Sequence, residues 1–209
     1  ERRYEGERDS FFPPVSCIIT CYSEGRDVQK TIMSLTEQIY PGKIEMLAMI
    51  DGASKNKLTY DSAMEMSEYV SGFRNRKLVV VPKWQRGGRV SSLNTGLNFA
   101  SGEIVMALDG DTSFDNNMVE RVTRHFEDPA ISAVSGCLRV RNADESLTAS
   151  LQAIEYFVSI QASKTGLSAF NMVNNISGAF GVFRKSVLDL VEGWDAGTAE
   201  DLDITLRIK

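Results

Sequence analysis

Short apolar segments alternate along the chain with longer segments whose apolar residues recur every three or four positions. The first pattern predicts buried strands and the second predicts amphipathic helices. The predicted strands are Val15–Thr20, Ile44–Ile50, Leu78–Val81, Ile104–Leu108, Ile131–Leu138, Val173–Ile176 and Ala179–Phe183. The predicted helices are Asp27–Gln38, Leu58–Tyr69, the segment from Gly87-Gly88 to Ala100, Asn117–His125, Glu145–Ser163, Ser186–Val191 and a last helix that opens near Ala199. Strands that alternate with helices indicate an α/β domain with a largely parallel central sheet.

Residues 1–12 are charged and lack periodicity, so we expect a linker or arm, followed by one domain over residues 13–209. Asp27 is expected to cap the first helix. The apolar stripe of the longest predicted helix (Leu147, Leu151, Ile154 and Val158) is expected to face the core.

Composition narrows the function. The chain has 209 residues, with 23 Lys and Arg against 28 Asp and Glu, which gives a net charge of -5. Such a domain is a poor candidate for nucleic-acid binding, which depends on neutralising phosphates. Three cysteines and one histidine argue against a disulfide framework and against a zinc site. No apolar run reaches the length of a membrane span. Because the chain begins at Glu1 without a Met, we expect a piece of a longer protein.

Parallel sheets bind their ligands at the carboxyl ends of the strands. Asp109-Gly110-Asp111 follows the fourth predicted strand and places two like charges close together. A hard cation such as Mg²⁺ or Mn²⁺ would relieve that repulsion. Two alternatives remain, an ordinary acidic turn and the nucleophile motif of haloacid-dehalogenase-type phosphatases. Ser113, and the three strands that precede the motif, count against the phosphatase.

The segment from Lys83 to Arg89 carries three basic residues around Gly87-Gly88 at a predicted helix start. Glycines there let the backbone N–H groups approach an anion, and Arg89 could bind phosphate in a bidentate manner. The spacing is not that of a P-loop. A solvated basic loop is the alternative interpretation.

Glu200-Asp201 opens the last predicted helix. An acidic pair in that position commonly complements the helix dipole, whereas the functional hypothesis makes Asp201 a general base. Asp51 follows the second strand and is either a turn former or a hydrogen-bond acceptor for a base or ribose.

With these motifs in this order, the chain resembles the catalytic domain of inverting family 2 glycosyltransferases, which have the GT-A, Rossmann-like fold. It is most similar to processive synthases of cellulose, poly-N-acetylglucosamine, chitin and hyaluronan. The resemblance runs from about Val15 to Lys209. It rests on Val15–Glu24, Ile50-Asp51-Gly52, Arg86–Asn94, Leu108–Asp111, Ile176–Ala179 and Ala199-Glu200-Asp201.

The resemblance implies a role for each matching residue. Tyr22 and Glu24 would line the base pocket of a UDP-sugar, and Asp51 would hold uracil or ribose. Arg89 would contact the diphosphate and Asp109 would lie near the nucleotide. Asp111, with Asp109 beside it, would bind Mg²⁺ or Mn²⁺. Ser177 and Gly178 would lie beside the acceptor sugar, with Glu200 and Asp201 as the catalytic pair and Asp201 as the base.

A Gln/Arg-x-x-Arg-Trp motif, which follows the base motif in processive members, is absent from this chain. The resemblance implies a glycan or polysaccharide acceptor and a parent protein at the cytoplasmic face of the cell membrane, held there by flanking segments. A non-processive enzyme with a lipid or small acceptor, or a nucleotide-sugar-binding module without turnover, are the alternatives.

Overall fold

A computed structural model describes residues 11–137, 139, 146–158, 166, 175–195 and 199–209. These residues contain six strands, which form one mixed sheet in the order β3-β2-β1-β4-β6-β5. The strands are β1 (Val15–Cys21), β2 (Ile44–Asp51), β3 (Arg76–Lys83), β4 (Ile104–Asp109), β5 (Ala133–Ser135) and β6 (Phe180–Arg184). The first four strands pair in parallel, and β6 runs antiparallel to β4 and to β5.

Helices cover both faces of the sheet. They are α1 (Asp27–Thr36), α2 (Lys57–Ser71), α3 (Gly88–Phe99), α4 (Met118–Thr123), α5 (Leu147–Tyr156), α6 (Lys185–Leu190) and α7 (Glu200–Ile208), with a 3₁₀ turn at Arg124–Glu127. Alternate residues of each strand point to opposite faces. Cys17 and Ile19 of β1 therefore pack in one apolar cluster with Ile32 of α1. Ile18 packs in the other with Leu93 of α3.

All residues of β1 and β2 are buried, as expected of central parallel strands. This explains why their apolar runs are continuous rather than alternating. The mostly parallel sheet confirms the predicted α/β class. Among the described helices, none is long and apolar enough to cross a membrane.

Several predicted boundaries differ from the observed ones. Asp27 is the first residue of α1 rather than its cap, and Arg26 precedes it without a side-chain cap. The described part of the fifth strand is only Ala133–Ser135, and it starts late because the Ile131 N–H bonds the carbonyl of Asp128 in a turn. Leu138, at the predicted end of this strand, lies outside the described residues. Asn175 and Ile176 lie outside any strand, because the Ile176 N–H bonds the hydroxyl of Thr205 instead. Residues 173 and 174 of that predicted strand lie outside the described residues.

The expectation for the stripe of α5 is also wrong. Leu147, Leu151, Ile154 and Val158 are each more than half exposed. They join neither of the two apolar clusters formed by the described residues. Helical spacing predicted the described helix Leu147–Tyr156, but it does not show which surface an apolar face covers. Residues 145 and 159–163 of the predicted helix lie outside the described residues.

A half-buried arginine, Arg76, holds together the amino ends of β2 and β3. The guanidinium of Arg76 donates hydrogen bonds to the carbonyls of Thr36, Gln38, Tyr40, Gly42 and Asn75, at distances of 2.8–3.1 Å. These carbonyls belong to the end of α1 and to the loops before β2 and β3, so one side chain orders the whole connection.

Candidate active site

The carboxyl ends of β1, β2 and β4 meet at one edge of the sheet. Thr20 is in register with Asp109, and Cys21 is in register with Ile50. The loops that follow these strands therefore lie side by side. This brings Asp51, Asp109 and the segment after Cys21 to the same edge, as the parallel topology requires.

Asp51 lies buried under the basic turn, with 4% of its surface exposed. Its carboxylate accepts hydrogen bonds from the Gly87 N–H at 2.8 Å, the Gly88 N–H at 2.9 Å and the Lys83 ammonium at 2.9 Å. Burial by itself would raise the pKa of Asp51, but these hydrogen bonds outweigh it and hold the pKa below its ordinary value. Asp51 is therefore an internal anion at the start of α3.

This arrangement changes the interpretation of Gly87-Gly88. Gly88 has φ +79°, a conformation that favours glycine. A Cβ on Gly87 would lie 2.5 Å from the hydroxyl of Ser91. Both glycines are thus needed for the turn, but their N–H groups already bind Asp51 and do not face an external anion as predicted.

The Asp-x-Asp motif lies at the end of β4 beside Glu24. Asp109 is partly buried, and Asp111 is exposed. The carbonyl of Gly110, between them, accepts a hydrogen bond of 2.8 Å from the buried hydroxyl of Thr31. Burial raises the pKa of Glu24, backbone N–H groups oppose the shift, and the charges of Asp111 and Asp109 add to it. The Oε2 atom of Glu24 is buried and has no hydrogen-bond partner in the described part of the chain.

The donor set suits a hard cation. The side chains here offer carboxylate oxygens, and a nearby positive charge would stabilise the unpaired buried oxygen of Glu24. No group of three or more potential metal ligands occurs among the described residues. Mg²⁺ and Mn²⁺ sites commonly need only one or two carboxylates, because substrate phosphates complete the shell. The residues present therefore fit such an ion together with a phosphorylated ligand.

Arg89 connects two sides of this edge. Its guanidinium pairs with Asp109 and donates to the hydroxyl of Thr20 at 2.8 Å. The same group lies 3.0 Å from the carboxylate of Glu200 and donates to the carbonyl of Gly178. One side chain of α3 therefore links the Asp-x-Asp motif to the start of α7 and to the loop before β6.

The candidate base lies on the other side of Arg89. Ser177, Gly178, Glu200 and Asp201 line one small hollow, which brings together all four residues predicted for the acceptor side. The Oδ1 atom of Asp201 accepts a hydrogen bond of 2.9 Å from the Leu202 N–H. Its Oδ2 atom accepts one of 3.0 Å from Asn175, a residue that the sequence patterns did not single out.

Two further features of the site were missed from the sequence. The guanidinium of Arg86 lies 4.0 Å above the ring of Tyr22, which is 45% exposed at the edge of the sheet. A cleft of about 290 Å³ opens beyond the Asp-x-Asp loop, between Phe114, Arg121 and Arg139. Of these two features, only the contact of Arg86 had a signal in the sequence, namely its positive charge within the basic segment. No sequence pattern indicated the cleft.

A mostly parallel sheet that gathers acidic and basic side chains at the carboxyl ends of its strands is the arrangement with which α/β domains bind their ligands. Comparison with known families makes the class specific. The model of the family described as "Glycosyl transferase family 2" matches residues 16–191. The chain therefore belongs to glycosyl transferase family 2, as its sequence motifs predicted.

Curated relatives support the same assignment. The chain is 32% identical over 197 residues to a poly-beta-1,6-N-acetyl-D-glucosamine synthase of Staphylococcus epidermidis, an alignment that covers 93% of this chain and 45% of the relative. The corresponding synthase of Staphylococcus aureus strain COL is 30% identical over 196 residues, with the same coverage. The chain thus spans about half the length of these relatives.

Solved structures show the fold. The mannosyltransferase PcManGT from Pyrobaculum calidifontis, in complex with GDP-Man and Mn²⁺, superposes with a TM-score of 0.68 at 20% identity, over 95% of this chain and 52% of that one. TarS of S. aureus superposes with a TM-score of 0.66 at 15% identity, over 93% of this chain and 33% of that one. The predicted GT-A fold is confirmed.

Proposed function

We propose that this chain transfers a sugar from a UDP-sugar to a hydroxyl group of a growing glycan, with inversion at the anomeric carbon. The observation that carries the proposal is the position of Arg89 between Asp109 and Glu200. It gives the site a donor side and an acceptor side in direct contact, as transfer between two bound sugars requires. The similarity to poly-β-1,6-N-acetylglucosamine synthases favours UDP-N-acetylglucosamine as the donor.

On the donor side, the exposed ring of Tyr22 offers a stacking surface for uracil, and Glu24 follows two residues later in the same loop. Asp51 acts by holding the turn from which Arg89 projects, in addition to any contact with the nucleoside. Arg89 binds the diphosphate. A Mg²⁺ or Mn²⁺ ion held by Asp111, with Asp109 beside it, would neutralise the charge that develops on the departing diphosphate.

On the acceptor side, Asp201 removes the proton from the attacking hydroxyl. The acceptor oxygen forms a bond to the anomeric carbon while the bond from that carbon to the diphosphate oxygen breaks. UDP leaves with the electron pair, and the proton stays on Asp201. Ser177 and Gly178 lie beside Glu200 and Asp201 and would position the acceptor sugar. We extend the proposal to a polysaccharide acceptor and to a location at the cytoplasmic face of the cell membrane.

Calorimetry of UDP binding tests the donor side. Mn²⁺ should tighten UDP binding to the chain by at least about tenfold, or ~1.4 kcal/mol. Asp111→Ala should remove that gain, whereas Asp61→Ala, at an exposed position on α2, should retain it. An affinity of the wild-type chain for UDP that is the same with and without Mn²⁺ would refute the metal assignment.

Turnover tests the acceptor side. UDP release is measured with UDP-N-acetylglucosamine and a β-1,6-linked N-acetylglucosamine oligosaccharide. Asp201→Asn should leave UDP binding unchanged and lower kcat roughly 10²–10⁴-fold, the contribution of a general base. Retained turnover in this variant would exclude Asp201 as the base. A wild-type chain that binds UDP without turnover would instead be a binding module.

A further inference from the structure

Asn175 makes a direct contact with the proposed base. Its side-chain nitrogen donates a hydrogen bond of 3.0 Å to Oδ2 of Asp201. The other carboxylate oxygen already accepts the N–H of Leu202, within α7. The two contacts fix both oxygens of Asp201, so they determine the direction in which the free lone pairs of the carboxylate point.

The backbone next to Asn175 is tied to the same helix. The Ile176 N–H donates to the hydroxyl of Thr205 at 2.9 Å. That hydroxyl donates in turn to the carbonyl of Asp201 at 2.6 Å. Thr205 is only 3% exposed, so water does not compete for these bonds. Asn175 and Asp201 are therefore held in one unit by two separate links.

The amide of Asn175 is satisfied at only one end. Its Oδ1 atom is buried and has no hydrogen-bond partner in the described part of the chain. A buried, unpaired carbonyl costs free energy that an apolar side chain of similar size would not. The amide cannot turn round, since an ionised carboxylate only accepts hydrogen bonds. An asparagine at this position is therefore explained by its nitrogen and not by packing.

The charged neighbours of Asp201 are occupied elsewhere. The carboxylate of Glu200 lies 3.0 Å from Arg89. Asp203 accepts a hydrogen bond of 2.8 Å from Arg207. Both arginines thus pair with other carboxylates, and within the described ranges it is Asn175 and the Leu202 N–H that orient the side chain of Asp201.

We propose that Asn175 is a positioning residue that aims the carboxylate of Asp201 at the acceptor hydroxyl. The inference rests on the proposed function, because it needs Asp201 as the base. It assigns Asn175 no contact with the donor. Loss of the Asn175 amide should therefore slow the chemical step and leave the affinity for UDP unchanged.

Asn175→Leu is the sharpest variant, because it removes the donor and the unpaired carbonyl together. We expect kcat to fall roughly 10- to 100-fold, the effect of a misplaced catalytic group. The donor KM and the calorimetric UDP affinity should stay within about twofold. The melting temperature should be unchanged or higher, which a merely structural role would not give. Asn98→Leu, at an exposed position on α3, is the matched control and should leave kcat unchanged.

Asn175→Ala is a second variant for the case in which leucine is too large for this position. It should show the same fall in kcat at unchanged KM. Wild-type kcat in a folded Asn175→Ala chain would overturn the inference and leave the proposed function intact. A parallel fall of kcat and melting temperature in both variants would make Asn175 structural, which also overturns it. A wild-type chain that does not bind UDP would refute the proposed function and the inference with it.

Discussion

Replacing Asp51 with asparagine should weaken the fold itself and not only ligand binding. The side chain of Asp51 is 5% exposed, and that of its partner Lys83 is 13% exposed. The amide of the Asp51→Asn variant could keep one hydrogen bond to the turn but would leave the Lys83 charge buried without a counter-ion. Removing one partner of a buried pair costs about 3–5 kcal/mol. Since the amide still accepts a hydrogen bond, we expect the lower end of that range, about 3 kcal/mol.

Urea unfolding followed by circular dichroism measures this cost. With an m-value near ~2 kcal/mol/M, a loss of about 3 kcal/mol lowers the midpoint by about 1.5 M. Asp61→Asn, at an exposed position on α2, removes the same charge and should move the midpoint very little. The comparison separates the buried pair from a general effect of net charge.

A double-mutant cycle tests the cause. Lys83→Met removes the cation that Asp51→Asn would strand, so the double variant should be more stable than the sum of the two single losses implies, by about 1–3 kcal/mol. Additive losses would show that Asp51 and Lys83 do not stabilise each other. A loss below about 0.5 kcal/mol in Asp51→Asn would refute the inference that this carboxylate supports the turn.

Two other predictions follow from buried contacts. Hydrogen bonds lower the pKa of Asp51, and those from Ser101, Ser16 and Lys77 lower that of Glu45, although burial alone would raise both. The stabilisation that these hydrogen bonds give is present above the carboxyl pKa of the unfolded chain and is lost as the pH falls through the lower pKa values of the folded chain. The urea midpoint should therefore drop below about pH 4. Glu45→Gln should make that drop smaller, and an unchanged drop would contradict the contribution of Glu45. Gly96→Ala should destabilise the chain by about 1–3 kcal/mol, since the new methyl group overlaps the buried Ile18; a raised melting temperature would show that helix propensity outweighs the overlap.

The central strands were predictable because their burial leaves a local signal. β1, β2 and β4 each extend one residue beyond the predicted end, to Cys21, Asp51 and Asp109. The antiparallel edge of the sheet, formed by β5 and β6, was harder to predict from the sequence. Among the described residues β5 pairs only with β6, over three positions, so a long apolar run there does not mark a long strand. The exposed face of α5 shows the same limit, because a helical stripe carries no information about its partner.

The sequence singled out most of the side chains that the structure brings together at this edge of the sheet, but not how they pair. Asp51 and the Gly87-Gly88 turn were both singled out from the sequence, yet only the structure shows that they bind each other. Asn175 had no signal at all, since its role depends on a contact with Asp201, 26 residues away. Motifs identify side chains that can do chemistry, whereas the folded chain decides which of them neutralise one another.

The bonds of Arg89 also set a limit on how the two substrates can act. The guanidinium of Arg89 donates hydrogen bonds to Asp109, Thr20 and Gly178 and forms an ion pair with Glu200. A phosphate that binds this guanidinium competes with these partners and can displace one of them. Where that partner is Glu200 or Gly178, filling the donor side and ordering the acceptor side become one thermodynamic event. Linkage then requires reciprocity: the factor by which an acceptor changes the affinity for UDP equals the factor by which UDP changes the affinity for that acceptor.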